Sequence, residues 1–325
     1  MALSAKEKAD LLTRSLPARR ETVRLLQDYL SRTGLTQVDF ARRINYSTIS
    51  VRMLICDRYN TIAGDDSAIR AAIHDFISAH PIEAVTDSEG KLYETENVQC
   101  ARKYFYEALD GRRAYYFRGA PGTQKSFVLQ HLIAELNRSE IAKNGHGRRA
   151  FYVYCSDLIR PNQLMRAVAE AAGSISAGDN RRIFKNLRFD LGKRKVLFVF
   201  DEAQHLDVHC LETLRELLDM PPHCGLLFAG SHELEKTFQR LDMEQWHSRL
   251  RQGAELPGIS ETEAFGIISA ELGAQSDTKI QALIKKCYAT DLRKGRTVKY
   301  ISARTLFWSI QSIQDRQKSK AGANA

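Results

Sequence analysis

The 325-residue sequence lacks an apolar run long enough to cross a bilayer, which takes roughly 18 residues. Its first stretch, MALSAKEKADLLTRS, has no apolar core of the kind that secretory signals carry. The six cysteines are scattered, with no C-x-x-C pair and no paired Cys/His spacing, so neither a metal centre nor a disulfide framework is expected. These absences predict a cytoplasmic protein without a membrane partner.

Acidic residues are outnumbered by basic ones. The sequence has 48 Lys plus Arg against 39 Asp plus Glu, which gives a formal net charge of +9. Such an excess favours a polyanionic partner such as nucleic acid. Charge alone leaves equally open a basic protein that binds nothing charged.

The first 80 residues are predicted to be helical, since residues 20–78 repeat apolar side chains at helical spacing. Gly34 is expected to end one helix and Thr36 to begin the next. A very short turn then leads to STISVRMLICDRY, and a further helix, DSAIRAAIHDFISAH, precedes Pro81. The polar stretch IEAVTDSEGKLYETEN that follows is typical of a linker.

From residue 113 onward, short apolar runs alternate with helical stretches. The runs are RAYYFR, RAFYVYC, KVLFVF and CGLLFAG, and the helical stretches lie at 125–137, at 161–172 and within 208–219. This alternation predicts an α/β domain with a parallel sheet and helices on both faces. After Gly258 the pattern becomes helical again, which predicts a helical lid.

The octapeptide GAPGTQKS, at 119–126, has the features of a loop that cradles phosphate. Glycines let the backbone turn its N–H groups toward phosphate oxygens, Lys125 supplies positive charge, and the Ser126 hydroxyl is a ligand for Mg²⁺. The loop begins a helix whose dipole favours anions. An ordinary turn before a helix is the alternative. The predicted ATP site comprises Gly119, Ala120, Pro121, Gly122, Thr123, Gln124, Lys125, Ser126 and Phe127.

Gln124 departs from this pattern, because the position before the lysine ordinarily holds glycine. Glycine there lets the start of the helix come close to the β-phosphate, whereas glutamine adds a side chain. Gly122, the glycine expected to need a positive φ, is kept. The sequence therefore predicts that nucleotide binding survives with reduced affinity or turnover.

The stretch KVLFVFDEAQHL leads five apolar residues into two carboxylates, Asp201 and Glu202. Paired acids at the end of a buried strand are costly unless a cation lies beside them. Asp201 is expected to hold the Mg²⁺ shell, and Glu202 to orient and deprotonate the attacking water. Solvated acids at an exposed strand end are the alternative. The next strand ends at Ser231, which either touches the γ-phosphate or caps a helix.

The ordered set GAPGTQKS, VLFVFDEAQHL, LLFAGSHEL and SRLRQ resembles the AAA+ ATPases that serve DNA transposition, the family of the Mu B, TnsC and IstB proteins. The stretch LTQVDFARRINYSTISVRML, with its later RY and GD elements, is most similar to the helix-turn-helix domain of the Mu B branch, the target-DNA activators. The resemblance implies ATP and Mg²⁺ as ligands. It also implies a homo-oligomer, a filament or a ring, that binds DNA and a transposase.

The resemblance assigns further roles outside the phosphate loop. Arg249 in HSRLRQ matches the finger that reaches a neighbouring subunit's γ-phosphate, with Arg251 as the alternative. Arg304 in ISARTLF resembles the lid arginine that senses nucleotide. Asn97, beside Glu96, lies where such proteins gate the adenine. Surface positions without these roles are the alternative for both Arg249 and Arg304.

Two surfaces are predicted to hold DNA. The helix around 47–54 is the candidate recognition helix, with contacts from Ser47, Thr48, Ser50 and Arg52, and phosphate contacts from Thr36 and Gln37. A bundle used for protein contacts is the alternative. In the ATPase domain the candidates are Arg160, Arg181, Arg182 and Lys185, the last three within RRIFKNLRFDLGKRK. Phosphate contacts of this kind ignore base sequence and weaken with salt.

These patterns predict a helix-turn-helix domain at 1–80, a linker at 81–100, an AAA+ core at 101–258, a helical lid at 259–316 and a disordered tail at 317–325. The predicted function is ATP-dependent, largely sequence-nonspecific DNA binding, with delivery of target DNA to a transposase. A nucleotide-gated scaffold with little hydrolysis is one alternative. A DNA initiator or transcription regulator is the other. The expected location is the bacterial cytoplasm, or the host cytoplasm for a phage protein.

Overall fold

The computed structural model describes residues 17–27, 29–30, 37–59, 65–80, 91–141, 148–174, 176–191, 194–219, 224–239, 244–251, 253–293 and 296–322. The chain divides into two compact units. The first comprises 1–90, 134–149 and 165–194, and the second comprises 91–133, 150–164 and 195–325. Each unit is described by itself.

A five-stranded sheet forms the centre of the second unit. Its strands are β1 (Ala114–Gly119), β2 (Arg148–Tyr154), β3 (Lys195–Asp201), β4 (Gly225–Gly230) and β5 (Ala254–Leu256), in the spatial order β2–β3–β4–β1–β5. The pairs β1–β4, β1–β5 and β3–β4 are parallel. This confirms the predicted α/β fold with a parallel sheet. The short strand β5 was not predicted.

Burial explains why the central strands are continuously apolar. Every residue of β4 is buried, and so is every residue of β3 after its first. A strand covered on both faces cannot alternate apolar and polar side chains. The registers Phe200↔Phe228 and Arg118↔Gly230 bring the carboxyl ends of β3, β4 and β1 to the same edge of the sheet. In parallel sheets this edge is where ligands bind.

Helices lie before, between and after these strands. They are α1 (Gln37–Arg43), α2 (Thr48–Ile55), α3 (Ser67–Ala79), α4 (Glu96–Gly111), α5 (Lys125–Ile141), α6 (Pro161–Ala171), α7 (Asn180–Leu191), α8 (Val208–Asp219), α9 (Glu233–Phe238), α10 (Glu244–His247), α11 (Glu261–Leu272), α12 (Asp277–Lys286) and α13 (Ala303–Gly322). A single 3-10 turn, Ala203–His205, follows β3. No helix among the described residues is both long and apolar enough to span a membrane.

The lid contains a hairpin that the sequence did not predict. One of the helical stretches predicted after Gly258 extended to Thr290, but α12 ends at Lys286, and β6 (Tyr288–Arg293) pairs antiparallel with β7 (Arg296–Ile301). The β-branched residues Thr290, Thr297 and Val298 favour strand over helix. α11, α12 and α13 pack around Ile268, Ile284 and Leu306 to form the lid core.

Two expected boundaries were wrong. α4 begins at Glu96, inside the predicted linker, because the Thr95 hydroxyl accepts a hydrogen bond from Val98 N at 3.3 Å and caps the helix. α13 continues to Gly322, so residues 317–322 are helical where a disordered tail was expected. Residues 81–90 and 323–325 lie outside the described residues.

The first unit is helical at its amino-terminal end. Residues 17–27 and 29–30 are helical, and together with α1, α2 and α3 they enclose a core that includes Leu26, Phe40, Leu54 and Ile73. A short turn joins α1 to α2, whose N-cap is Ser47. The helical pattern is therefore confirmed for the described residues, while the helix-turn-helix function stays a prediction. The predicted caps Gly34 and Thr36 lie outside the described residues.

Candidate nucleotide-binding site

The phosphate loop joins β1 to α5 and needs glycine at two positions. A Cβ at Gly119 would lie 2.6 Å from Thr123 Oγ1 and 3.0 Å from Leu256 O. Gly122 has a φ of 80°, and a Cβ there would collide with Ser302 Oγ. The expectation that Gly122 adopts a positive φ is confirmed.

Gln124 also lies in the left-handed region, with a φ of 68°. Its side chain is 8% exposed, and its Oε1 accepts a hydrogen bond from Thr95 Oγ1 at 3.4 Å. Its Nε2 has no hydrogen-bond partner among the described residues. Glutamine therefore occupies a backbone conformation that favours glycine, and it brings a buried amide N–H with it.

Lys125 is held within its own loop. Its Nζ donates to Gly119 O at 2.8 Å and to Ala120 O at 3.0 Å, and the side chain is 8% exposed. Burial lowers the pKa of Lys125, and the carboxylates of Glu202 and Asp201 act against that shift. A buried ammonium held by neutral carbonyls would gain from an anionic partner, because charge-assisted hydrogen bonds are stronger than neutral ones.

Asp201 and Glu202 lie at the carboxyl end of β3, as the sequence predicted, but they differ in environment. Asp201 is fully buried, and its carboxylate accepts hydrogen bonds from the Tyr152 hydroxyl at 2.6 Å and from Glu202 N at 3.0 Å. Burial and the bond to Asp201 raise the pKa of Tyr152. Glu202 is half-buried, with a φ of 53°, and its Oε2 accepts from Gln204 Nε2 at 2.6 Å.

Ser231 lies at the end of β4 and contacts groups on both sides. Its backbone N donates to Gln204 Oε1 at 3.0 Å, and its hydroxyl accepts from Glu233 N at 3.3 Å near the start of α9. The bond from Glu233 N is a helix-capping hydrogen bond, which is one of the two roles that the sequence suggested for Ser231. The next residue, His232, lies with its Nε2 3.0 Å from Asp291 Oδ2 in β6. The end of β4 therefore lies next to β6 of the lid.

The lid also contacts the phosphate loop directly. The Tyr300 hydroxyl donates to Pro121 O at 2.8 Å, and Ala303 N donates to Gly122 O at 2.9 Å. These two hydrogen bonds hold residues 121 and 122, the outer turn of the phosphate loop, against the lid. None of these lid contacts was predicted, since the hairpin that carries Tyr300 was itself not predicted.

A family comparison shows what this arrangement is similar to. Residues 108–238 match the AAA_22 family, which is described as an AAA domain. The match begins within α4, ends at the last residue of α9 and includes the phosphate loop and the Asp201–Glu202 pair.

Two solved structures are similar to this chain, and the first of them shares its fold. The Aeropyrum pernix ORC1 protein in complex with DNA is 14% identical, with a TM-score of 0.50, over 72% of this chain and 63% of that one. The A. pernix ORC2 protein in its ADPNP–ADP complexes is 20% identical, with a TM-score of 0.46, over 61% and 59%. This chain thus covers less than two thirds of either protein. Comparison with curated proteins gives no match.

Asn97 and Arg304 lie beside the phosphate loop of the AAA domain. Asn97 is fully buried, and its Nδ2 donates to Thr123 O at 3.3 Å, while its Oδ1 has no hydrogen-bond partner among the described residues. The exposed Arg304 is two residues beyond Ser302, and its positive charge further lowers the pKa of Lys125. The structure therefore brings both residues to the loop, and their roles toward nucleotide stay predictions.

Arg249 lies near the edge of the sheet where β1 begins, opposite the edge that carries the phosphate loop. Its guanidinium donates to both carboxylate oxygens of Asp219, at 2.8 and 3.1 Å. The next residue, Leu250, forms a bridge with Ala114, where β1 begins, and Arg251 N donates to Ala114 O at 2.9 Å. The phosphate loop starts where β1 ends, five residues or roughly 16 Å farther on. Arg249 is therefore remote from the phosphate loop of its own chain.

The donor set suits a hard cation. Ser126 is the second residue of α5 and offers a hydroxyl, and Asp201 and Glu202 offer carboxylates, all of them oxygen ligands of the kind that Mg²⁺ prefers. Both Asp201 oxygens already accept hydrogen bonds, so a shell of water around the ion fits better than bare carboxylate ligation. Mg²⁺ usually keeps several waters in such sites. No group of three His, Cys, Asp or Glu side chains suited to a metal occurs within the described residues.

The predicted DNA contacts of α2 are used inside the first unit. Ser47 Oγ accepts from Ser50 N at 3.0 Å and lies 2.8 Å from Ser50 Oγ, so this pair caps the helix. Arg52 Nη2 lies 2.5 Å from Asp190 Oδ1, and its guanidinium lies 5.2 Å from the centre of the Phe189 ring in α7. In this structure Arg52 is an ion-pair partner of α7, and Thr48 begins the helix.

The basic residues of α7 are placed differently. Arg181, Arg182 and Lys185 are all exposed, and Arg188 is exposed one turn later. Arg181, Lys185 and Arg188 are spaced four and three residues apart, so they form one basic face of the helix. The buried Ile183, Phe184 and Leu187 fix which face points outward. In the second unit, Arg160 is exposed just before α6.

Proposed function

We propose that this protein is an ATP-hydrolysing AAA+ protein that assembles on DNA without strict sequence preference and delivers that DNA to a transposase. One observation carries the hydrolytic part. Lys125 follows the phosphate loop after β1, and Asp201 and Glu202 lie at the carboxyl end of β3, which the registers bring to the same edge of the sheet. A cation, a metal-suited acid and a candidate base thus lie at the ligand-binding edge of the sheet.

In the proposed reaction, a water oxygen bonds to the γ-phosphorus, and the bond from that phosphorus to the β–γ bridging oxygen breaks. Glu202 accepts the proton of the water, and ADP and inorganic phosphate are the products. Lys125 exchanges its carbonyl partners for phosphate oxygens. Ser126 and, through water, Asp201 would hold Mg²⁺, which would supply charge neutralisation at the β- and γ-phosphates.

Assembly is supported by the position of Arg249. An arginine remote from its own loop has no role in its own subunit's hydrolysis, whereas in an oligomer it reaches the γ-phosphate of a neighbour. Asp219 keeps its guanidinium extended and oriented until then. Hydrolysis would therefore require subunits to assemble, in a filament or a ring.

DNA binding is supported by the basic face of α7 and by the net charge of +9. Side chains that contact phosphates carry no sequence information, which suits a protein that marks target DNA. The pairing of Arg52 with Asp190 argues against sequence readout by α2. The A. pernix ORC1 structure, which shares the fold, is a complex with DNA. The transposase partner rests on the ordered motif set alone.

The decisive experiment measures phosphate release with and without nonspecific double-stranded DNA. We expect saturable hydrolysis that DNA stimulates, and loss of both ATP binding and hydrolysis in Lys125→Ala. Lys279→Ala, an exposed lysine on α12, is the matched control and should behave as the wild type. ATP binding that is absent from the wild-type protein in a direct titration would remove the proposal.

A nucleotide-gated scaffold is the second candidate, and Gln124 favours it. Its left-handed backbone and buried amide lie beside the lysine that must hold the phosphates. Tight ATP binding without phosphate release, with assembly on DNA in ATP but not in ADP, would identify the scaffold. Electron microscopy of the protein with DNA in each nucleotide shows the assembly directly.

A further inference from the structure

The Gln204 side chain bridges two parts of the site that the sequence connects only distantly. It lies in the 3-10 turn after β3. Its Nε2 donates to Glu202 Oε2 at 2.6 Å, and its Oε1 accepts from Ser231 N at 3.0 Å. One amide therefore joins the candidate base to the end of β4, 27 residues along the chain. This pair of hydrogen bonds is called the Gln204 bridge below.

The surrounding backbone is shaped to admit the bridge. Gly230 ends β4, and a Cβ there would lie 2.6 Å from Gln204 Oε1. Gly230 does not have a positive φ, so a Cβ there would act by displacing the Gln204 amide. Glu202 has a φ of 53°, and its carboxylate accepts from the amide two residues later. The absence of a side chain at Gly230 thus leaves room for the Gln204 bridge.

The chemistry of the bridge needs an amide of this length. Glutamine both donates to the Glu202 carboxylate and accepts from the Ser231 N–H, which neither a carboxylate nor an aliphatic side chain does. A glutamate at 204 would place a second negative charge beside Glu202 and lose the donor. The bond to Glu202 is charge-assisted, so it restrains the carboxylate strongly.

We propose that Gln204 is a positioning residue for ATP hydrolysis, which holds the Glu202 carboxylate toward the end of β4 in the orientation that receives the water's proton. The inference rests on the proposed hydrolytic function. Gln204 acts through Glu202, so its loss changes the chemical step and leaves nucleotide binding in place. Ground-state binding depends on the phosphate loop, which the Gln204 bridge does not touch.

The test compares Gln204→Ala and Gln204→Glu with the wild type, with Gln281→Ala on the exposed face of α12 as the matched control. We expect kcat to fall at least tenfold in both Gln204 variants while the Kd for ATP, from direct titration, changes less than twofold. Gly230→Ala, which displaces the amide without altering it, should reproduce the kcat loss. Gln281→Ala should match the wild type.

A double-mutant cycle separates positioning from a general structural defect. In a Glu202→Gln background, adding Gln204→Ala should produce no further loss of the residual rate, because the group that Gln204 orients is already disabled. An additive loss, or a Gln204→Ala enzyme with wild-type kcat, overturns the inference while the ATPase stands. A wild-type protein that binds ATP without cleaving it overturns the hydrolytic function and this inference together.

Discussion

The Tyr152 hydroxyl donates a 2.6 Å hydrogen bond to Asp201, so a residue of β2 orients the acid that ends β3. Tyr152→Phe removes that donor and leaves Asp201 buried with the Glu202 N–H as its other partner. Outer-shell partners of metal ligands typically contribute 10–100-fold to metal affinity. We therefore expect the Mg²⁺ concentration for half-maximal hydrolysis to rise about tenfold. A Mg²⁺ titration at saturating ATP measures it, and an unchanged midpoint would place Asp201 outside the metal shell.

Removing the side chain of Gln124 should improve the site. A left-handed backbone costs a non-glycine residue about 1–2 kcal/mol, and Gln124→Gly also eliminates the buried amide N–H. A gain of about fivefold in kcat/KM for ATP, equivalent to about 1 kcal/mol, is the expected result. Steady-state hydrolysis measures it.

Gly122→Ala serves as the comparison for Gln124→Gly, because it adds a side chain to the phosphate loop instead of removing one. It adds a Cβ at a φ of 80°, against Ser302 Oγ, and should lower ATP affinity. A loss of kcat/KM in Gln124→Gly would mean that the glutamine amide contributes to nucleotide binding.

Arg249 should act only between subunits. Arg249→Ala retains its phosphate loop and should bind ATP normally while hydrolysing it at least 10³-fold more slowly, the range seen for arginine fingers. Lys125→Ala keeps Arg249 but lacks the loop lysine. Mixing the two inactive proteins should restore activity, because one supplies the finger and the other the site. A mixture that stays inactive at every ratio argues for an intramolecular role of Arg249.

The two predicted DNA surfaces should respond differently to mutation. Replacing Arg181, Lys185 and Arg188 by alanine removes the basic face of α7 and should reduce the salt dependence of DNA binding by about one unit of slope per residue. Fluorescence anisotropy across a salt series measures the slope.

Arg52→Ala serves as the comparison for the α7 triple variant. It should leave the slope of DNA binding unchanged and destabilise the fold by about 1–3 kcal/mol, because the half-buried Asp190 loses its ion-pair partner and keeps the Ser174 hydroxyl as a donor. Denaturant unfolding measures that loss. A lower slope in Arg52→Ala would indicate that α2 contacts DNA.

The sequence predicted the parts of the site that follow from strand ends and loop composition. β3 and β4 were recognised because strands buried on both faces are continuously apolar, and the acids after β3 mark where the sheet edge lies. The phosphate loop was recognised because two glycines, a lysine and a serine lie in the expected pattern between an apolar strand and a helix. These features are local, so a single sequence carries them.

Other contacts were missed because they depend on which distant residues meet. The Tyr152–Asp201 bond needs the register of β2 beside β3, and Gln204 meets Ser231 only once β3 and β4 are paired. Arg52 was read as a DNA contact since nothing in its own helix reveals Asp190, 138 residues later. The hairpin β6–β7 was missed because its strands are short and partly polar.

The bonds from Tyr300 and Ala303 to the outer turn of the phosphate loop set a minimum length for any active fragment. A polypeptide cut after residue 238, where the similarity to the AAA family ends, would retain the phosphate loop and the acids at the end of β3. It would nonetheless lose the two donors that support Pro121 and Gly122 from the far end of the chain. Truncation from the carboxyl terminus should therefore disable nucleotide binding well before the deletion reaches Glu202.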